Sequence, residues 1–255
     1  METRNVGALV TGASRGLGAA LARQLAADGA RLALVARTTD DLARTVEFIR
    51  GAGGEAHAIA QDVGDKRAAH AIAATAAAMV GPIEILVHNA STLGHVPLRT
   101  LLDTDCEAFE RALEVNVMGP LRLTKLIVPS MALRGRGLVV NITSDASVNA
   151  YPGWGAYGAS KAALDHFGRV LGVELEGTGV RVVTVDPGEM NTRMHADAVP
   201  DADTRLLQDP GVVATRILRL IRGGDALPNG SRVEAAAWAD VEASTPRPTG
   251  QEHST

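Results

Sequence analysis

Val6-Gly-Ala-Leu-Val10 runs directly into Thr11-Gly-Ala-Ser-Arg-Gly-Leu-Gly18, an apolar stretch followed at once by a glycine-rich turn. The apolar stretch reads as a buried strand, and the periodic apolar residues from about 16 to 28 read as a helix. Glycines at 12, 16 and 18 between a strand and a helix let backbone N–H groups approach a pyrophosphate at the helix N-terminus. With 27 glycines in 255 residues, the spacing alone would arise by chance roughly 0.3 times. Its position between strand and helix is what gives it meaning. Thr11, Gly12, Ser14, Arg15, Gly16, Leu17 and Gly18 are therefore the first candidate cofactor-binding residues.

Outward from this turn, short apolar runs alternate with longer segments of helical period. The strands expected are Val6–Val10, Arg31–Ala36, Glu55–Ala60, Ile83–Val87, Leu138–Ile142, Val180–Val185 and Ser231–Ala235. The helices expected lie at about 16–28, 39–51, 65–80, 107–133, 156–176 and 211–222. Runs such as Leu138-Val-Val and Val180-Arg-Val-Val-Thr-Val are apolar at nearly every position, which suits strands buried on both faces. Regular β-α alternation then predicts an α/β fold: a Rossmann-type doubly wound parallel sheet of about seven strands with helices on both faces. No repeat or linker divides the chain, so residues 1–243 are expected to form one domain. The polar, proline-bearing segment 244–255 is expected to be a flexible tail.

Composition narrows the function classes. The chain is 46% hydrophobic and 21% charged with a net charge of −4, which suits a soluble domain with a sizeable core and argues against a nucleic-acid-binding surface. Cys106 is the only cysteine, so no internal disulfide or thiolate cluster can form, and the histidines at 57, 70, 88, 95, 166, 195 and 253 show no ligand spacing. No metal is expected. No apolar run approaches the roughly eighteen residues of a membrane helix, and no signal-peptide pattern precedes Val6, so a cytoplasmic location is expected.

The second strand should deliver the residue that reads the adenosine ribose, an acidic side chain for a 2′-hydroxyl or arginine for a 2′-phosphate. It ends in Ala36-Arg37, with Arg15 as a second cation, so NADP(H) is preferred and NAD(H) remains possible. Asp40 and Asp41 follow the strand end, where they would cap the next helix. Asp62-Val63, after the third strand, could meet the adenine edge, and Asp62 could equally be a plain helix cap.

Chemistry is carried by Ser144 to Lys161, SDASVNAYPGWGAYGASK. Tyr157 and Lys161 stand one helical turn apart, and an ammonium beside the phenol would lower a pKa of about 10 and fit it for acid–base work. Ser144, thirteen residues before Tyr157, could hold a substrate oxygen. The only tyrosines are Tyr151 and Tyr157.

Over nearly its whole length the sequence resembles the short-chain dehydrogenase/reductase family. Thr11–Gly18 is similar to its TGxxxGxG, and His88-Asn89-Ala90-Ser91 to its NNAG, with the first Asn and the Gly replaced. Asn116 in Val-Asn-Val-Met-Gly falls at its active-site asparagine, Ser144, Tyr157 and Lys161 match its Ser and YxxxK, and Pro187-Gly188 with Thr192 resembles its PG motif and the threonine near the nicotinamide carboxamide. The resemblance implies a carbonyl–alcohol oxidoreductase in which Tyr157 is acid and base, Ser144 bonds the substrate oxygen, Lys161 holds the nicotinamide ribose, and Asn116 holds a water relay. Asn89, Ala90, Pro187, Gly188 and Thr192 would join the cofactor site. It also implies a homodimer or homotetramer packed through the helices at about 107–133 and 156–176. His88 is expected to pack or hydrogen-bond, and Tyr151, Trp154, His95, Met190 and Met194 are candidate pocket residues. Two other readings stand beside this one. A sugar-nucleotide epimerase or dehydratase shares YxxxK but usually carries GxxGxxG and a larger C-terminal region, and a non-catalytic dinucleotide sensor or scaffold could use the same fold. Pro120, four residues after Asn116, should interrupt the expected long helix and free the Asn116 carbonyl for a water.

Overall fold

The computed structural model describes residues 1–223 and 227–239; the 244–255 tail expected from sequence lies outside them. In chain order the elements are β1 (Gly7–Thr11), α1 (Gly16–Ala27), β2 (Arg31–Ala36), α2 (Thr39–Gly51), β3 (Glu55–Ala60), α3 (Ala68–Val80), β4 (Ile83–His88) and α4 (Cys106–Leu113). There follow a π-helical segment (Glu114–Met118), α5 (Gly119–Leu133), β5 (Gly137–Ile142), α6 (Gly155–Glu174), β6 (Val180–Asp186), α7 (Arg193–Ala198), α8 (Pro210–Gly223) and β7 (Ser231–Glu234). The seven strands pair in parallel in the order β3-β2-β1-β4-β5-β6-β7.

Because strand side chains alternate faces, the near-continuous apolar runs feed two cores. On one side Ala8, Val10, Leu32, Leu34, Val140 and Val185 pack with α1, α2 and α8. On the other, Leu9, Ala33, Val35, Leu86, Val139 and Val182 pack with α3 and α5, and Leu171 and Leu175 at the end of α6 join them. Strand order reverses between β1 and β4, which opens a crevice at their carboxyl ends. The glycine-rich turn after β1 and the Asn89-Ala90 turn after β4 are the two lips of that crevice.

Two local expectations need correction. The single helix at about 107–133 is three segments: α4, the π turn and α5. Gly119 N–H bonds the Glu114 carbonyl, an i→i+5 contact that shifts the hydrogen-bond register and puts Pro120 in the first turn of α5. There its missing N–H costs little. Asp40 and Asp41 do not cap α2: Thr38 is the N-cap residue, and both aspartates lie in the first turn, where their charge suits the helix dipole.

Candidate active site

The glycine-rich turn is clasped from across the crevice. Thr11 Oγ1 donates to the Val87 carbonyl (3.0 Å) and accepts from the N–H groups of Asn89 (3.0 Å) and Ala90 (3.1 Å). Asn89 Nδ2 donates to the carbonyls of Thr11 (2.9 Å) and Gly12 (3.1 Å). The side chains of Thr11 and Asn89 therefore shape the loop. Gly12 has φ +67°, and a Cβ there would meet Ala90 Cα at 2.8 Å. A Cβ on Gly18 would drive into the Gly12 carbonyl and the Asn89 amide. Arg15, at the N-cap of α1, makes no side-chain cap, so the first-turn N–H groups are not bonded by it. Glycine-only packing and uncapped donors form the cradle that a pyrophosphate needs.

The other cofactor candidates border the same crevice. Thr192 caps α7 by accepting from His195 N–H (3.3 Å), and its Cγ2 lies across from Gly16. Gly188 N–H donates to Asp186 Oδ1 (3.0 Å), and Gln208 Nε2 donates to the Pro187 carbonyl (3.4 Å). Arg37 is exposed just past β2, as is Arg15 on the turn. Asp62 accepts from Gly64 N–H (2.9 Å) and is ion-paired to Arg111 of α4, so its carboxylate is already engaged. Val63 is buried, with its carbonyl close against Gly119.

Ser144 follows β5, and Tyr157 and Lys161 lie on the first turns of α6. Lys161 is 1% exposed, donates to the Ile142 carbonyl (2.8 Å), and holds Nζ 5.6 Å from the centre of the Tyr157 ring. Burial pushes its pKa down to about 8, while Asp165, one turn further along α6, pulls it back up. Tyr157 is also buried, and its phenol is pushed up to about 12: desolvation dominates, Asp186 and Asp145 add to it, and the Ser144 and Ser91 side chains act against it. The expectation of a phenol acidified by its lysine is thus corrected. Burial costs the phenolate more than its polar neighbours return. Ser144 Oγ accepts from Ala146 N–H (3.2 Å) and donates to Asp145 Oδ1 (3.0 Å).

Asn116 is fully buried in the π segment. Its Oδ1 accepts from Thr92 N–H (2.9 Å) and Ser91 Oγ (3.2 Å), and its Nδ2 donates to the Thr92 carbonyl (2.9 Å) and Ser160 Oγ (2.8 Å). That uses the amide completely. The side chain straps the loop after β4 to α6, and Pro120, at i+4, has no N–H to offer the Asn116 backbone carbonyl.

Trp154 meets the Tyr157 ring edge-on at 5.6 Å, and Leu98, Met194 and Ala198 pack on the same small cluster. Met190 instead packs against the α1–α8 core, and His95 Nδ1 donates to the Pro97 carbonyl (2.9 Å). Tyr151 is exposed and donates to Asp145 Oδ2 (2.7 Å). His88 is buried, bonded through Nε2 to Thr124 Oγ1 (3.0 Å), and burial lowers its pKa to about 3, so it is a neutral packing residue at neutral pH. Sequence reasoning missed Ser160, Asp145, Asp165, Asp186 and Arg232. Only Asp165, at i+4 from Lys161, carried a readable signal.

The profile of the short chain dehydrogenase family matches residues 7–203. A short chain dehydrogenase of Pseudocercospora fijiensis is 37% identical over 199 residues, covering 76% of this chain and 63% of that relative. Glycine betaine reductase of Emericella nidulans is 35% identical over 223 residues, which is 84% of this chain but 17% of that protein. The chain therefore spans less than two thirds of these relatives. A short chain dehydrogenase from Burkholderia cenocepacia in complex with NADP superimposes with a TM-score of 0.80 at 28% identity, covering 92% of this chain and 97% of that one. A 7α-hydroxysteroid dehydrogenase complexed with NADH and 7-oxo glycochenodeoxycholic acid gives a TM-score of 0.83 at 28% identity, covering 91% and 94%. The chain belongs to the short-chain dehydrogenase/reductase family.

Proposed function

We propose that this chain is an NADP(H)-dependent oxidoreductase that interconverts a small-molecule carbonyl and its alcohol. The observation that carries the reading is the convergence of Ser144, Tyr157 and Lys161 at the carboxyl end of the sheet, the same edge that carries the glycine-rich turn after β1. A bound nicotinamide dinucleotide supplies hydride to the carbonyl carbon in one direction and accepts it in the other. Tyr157 Oη gives its proton to the substrate oxygen in reduction and recovers it in oxidation. A phenol pushed up to about 12 is protonated at neutral pH, which is the form reduction requires.

Lys161 keeps a positive charge near the ring and stabilises the phenolate left behind. Ser144 Oγ has one hydrogen, directed at Asp145, and turns it onto the substrate oxygen as charge develops there. The Asn116 carbonyl holds a water that returns protons towards Lys161. Arg37, with Arg15, offers the cations that a 2′-phosphate needs, and this favours NADP(H). Exposed Leu133 on α5 and Val170 and Val173 on α6 support a homodimer or homotetramer through those helices. No described helix is long and apolar enough to cross a membrane, and we assign the chain to the cytoplasm.

Steady-state oxidation of NADPH across a panel of ketones and aldehydes tests the reading. Turnover lost in Tyr157→Phe is the expected result. Tight dinucleotide binding with no turnover on any carbonyl or alcohol would favour a sensor instead.

A further inference from the structure

Beneath the reactive side chains lies an ionic cluster that the proposed chemistry has not used. Arg232, on β7, reaches three acceptors on three other parts of the fold. Its Nε donates to Asp165 Oδ2 on α6 (3.0 Å), and its Nη2 donates to Asp186 Oδ2 at the end of β6 (2.9 Å) and to the Ser144 carbonyl after β5 (3.2 Å). Asp165 and Asp186 are 2% and 5% exposed. Asp165 Oδ2 also accepts from Ser147 Oγ (2.6 Å), and Asp186 Oδ1 accepts from Gly188 N–H (3.0 Å). One guanidinium thus ties the Ser144 loop to the helix that carries Tyr157 and Lys161, and to the Pro187-Gly188 turn. Two carboxylates this deeply buried need a paired charge, and a forked cation can meet three acceptors where a lysine meets them poorly.

We propose that Arg232 is a positioning residue for the reaction: it fixes the backbone of Ser144 against α6 and the Pro187-Gly188 turn and neutralises the buried carboxylates of Asp165 and Asp186. The inference rests on the oxidoreductase reading above. The charged groups facing the phenol are Asp186 and Asp145, which hold its proton, and Lys161, beside the ring. The hydroxyls of Ser144 and Ser91 oppose the aspartates, and the packed side chains Leu98, Trp154, Met194 and Ala198 carry no charge. Asp165 acts on Lys161. Unmasking Asp186 therefore raises the phenol pKa, and removing its charge lowers it.

The sequence supplies a direct readout, because Tyr151 and Tyr157 are the only tyrosines. In a Tyr151→Phe background, near-ultraviolet absorbance reports ionisation of Tyr157 alone, with no need for turnover. At a fixed alkaline pH below the unfolding transition, Asp186→Asn should increase the tyrosinate fraction and Arg232→Met should decrease it. Carbonyl reduction should fall by about tenfold or more in Arg232→Met, with partial recovery in Arg232→Lys. Should Arg232→Met fail to fold, the Asp186→Asn titration decides alone. A tyrosinate fraction unmoved by Asp186→Asn, or shifted the same way in both variants, overturns the proposal. Absence of turnover in the parent would count against the oxidoreductase reading while leaving the titration to judge Arg232.

Discussion

Lys161→Met separates the chemical use of the lysine from its cost to the fold. Burial lowers the ammonium from its ordinary 10.5 to about 8. At about 1.4 kcal/mol per pKa unit, the buried charge costs the folded chain about 3 kcal/mol at pH 7. Methionine fills a similar volume without charge, but it loses the bond to the Ile142 carbonyl, which returns about 1–2 kcal/mol of that gain. The variant should be more stable by about 1–2 kcal/mol, a rise of roughly 2–8 °C in melting temperature for a domain of this size. The sign depends on pH. Lys161 is deprotonated more easily in the folded chain than in the unfolded one, so the parent regains this stability as pH climbs from about 8 to 10.5, and the advantage of the variant disappears there.

Activity should move the other way. A charge 5.6 Å from the Tyr157 ring, at an effective dielectric near 20, is worth about 3 kcal/mol to a phenolate, or about 10²-fold in rate. Melting curves at pH 7 and at pH 10, with carbonyl reduction under saturating NADPH, read both effects. A variant that melts lower than the parent at pH 7, or one that keeps its turnover, would refute the reasoning.

Tyr157→Phe should retain cofactor binding by fluorescence titration yet lose about 10²-fold or more in turnover, with Tyr151→Phe far milder; the reverse order would move the proton donor to Tyr151. Arg37→Asp should lower the kcat/KM ratio for NADPH over NADH by at least about tenfold, and a parent that already prefers NADH would sink that assignment. Pro120→Ala supplies an N–H to the Asn116 carbonyl, so melting temperature should hold or rise while the proton-dependent step slows. An unchanged solvent isotope effect on kcat would reduce Pro120 to a helix-register device.

The fold was legible because burial on both faces leaves a signature in composition. β2 and β3 match the expected Arg31–Ala36 and Glu55–Ala60, and the remaining strands differ by a residue or so at their ends. The glycine turn and the Ser144–Lys161 spacing were legible because both are local: each needs a strand and one helix to arrange it. The π segment was not, since the pattern around Asn116 stays helical whichever carbonyl each N–H selects, and Pro120 signals an interruption without stating its form. The six residues of α7 were too few for a periodic pattern.

By itself, the sequence determined the parallel doubly wound sheet and the glycine-rich turn, and it set Tyr157 and Lys161 one helical turn apart. Tertiary structure alone decided their electrostatics. Tyr157 rises to about 12 rather than falling, because desolvation depends on what covers a group and not on which residue lies four positions away. Asn116 is a strap because Thr92 and Ser160, remote in sequence, surround its amide. Arg232 meets Ser144, Asp165 and Asp186 only because β7 pairs beside β6, and polar contacts across 46 to 88 residues leave no periodic mark on the chain.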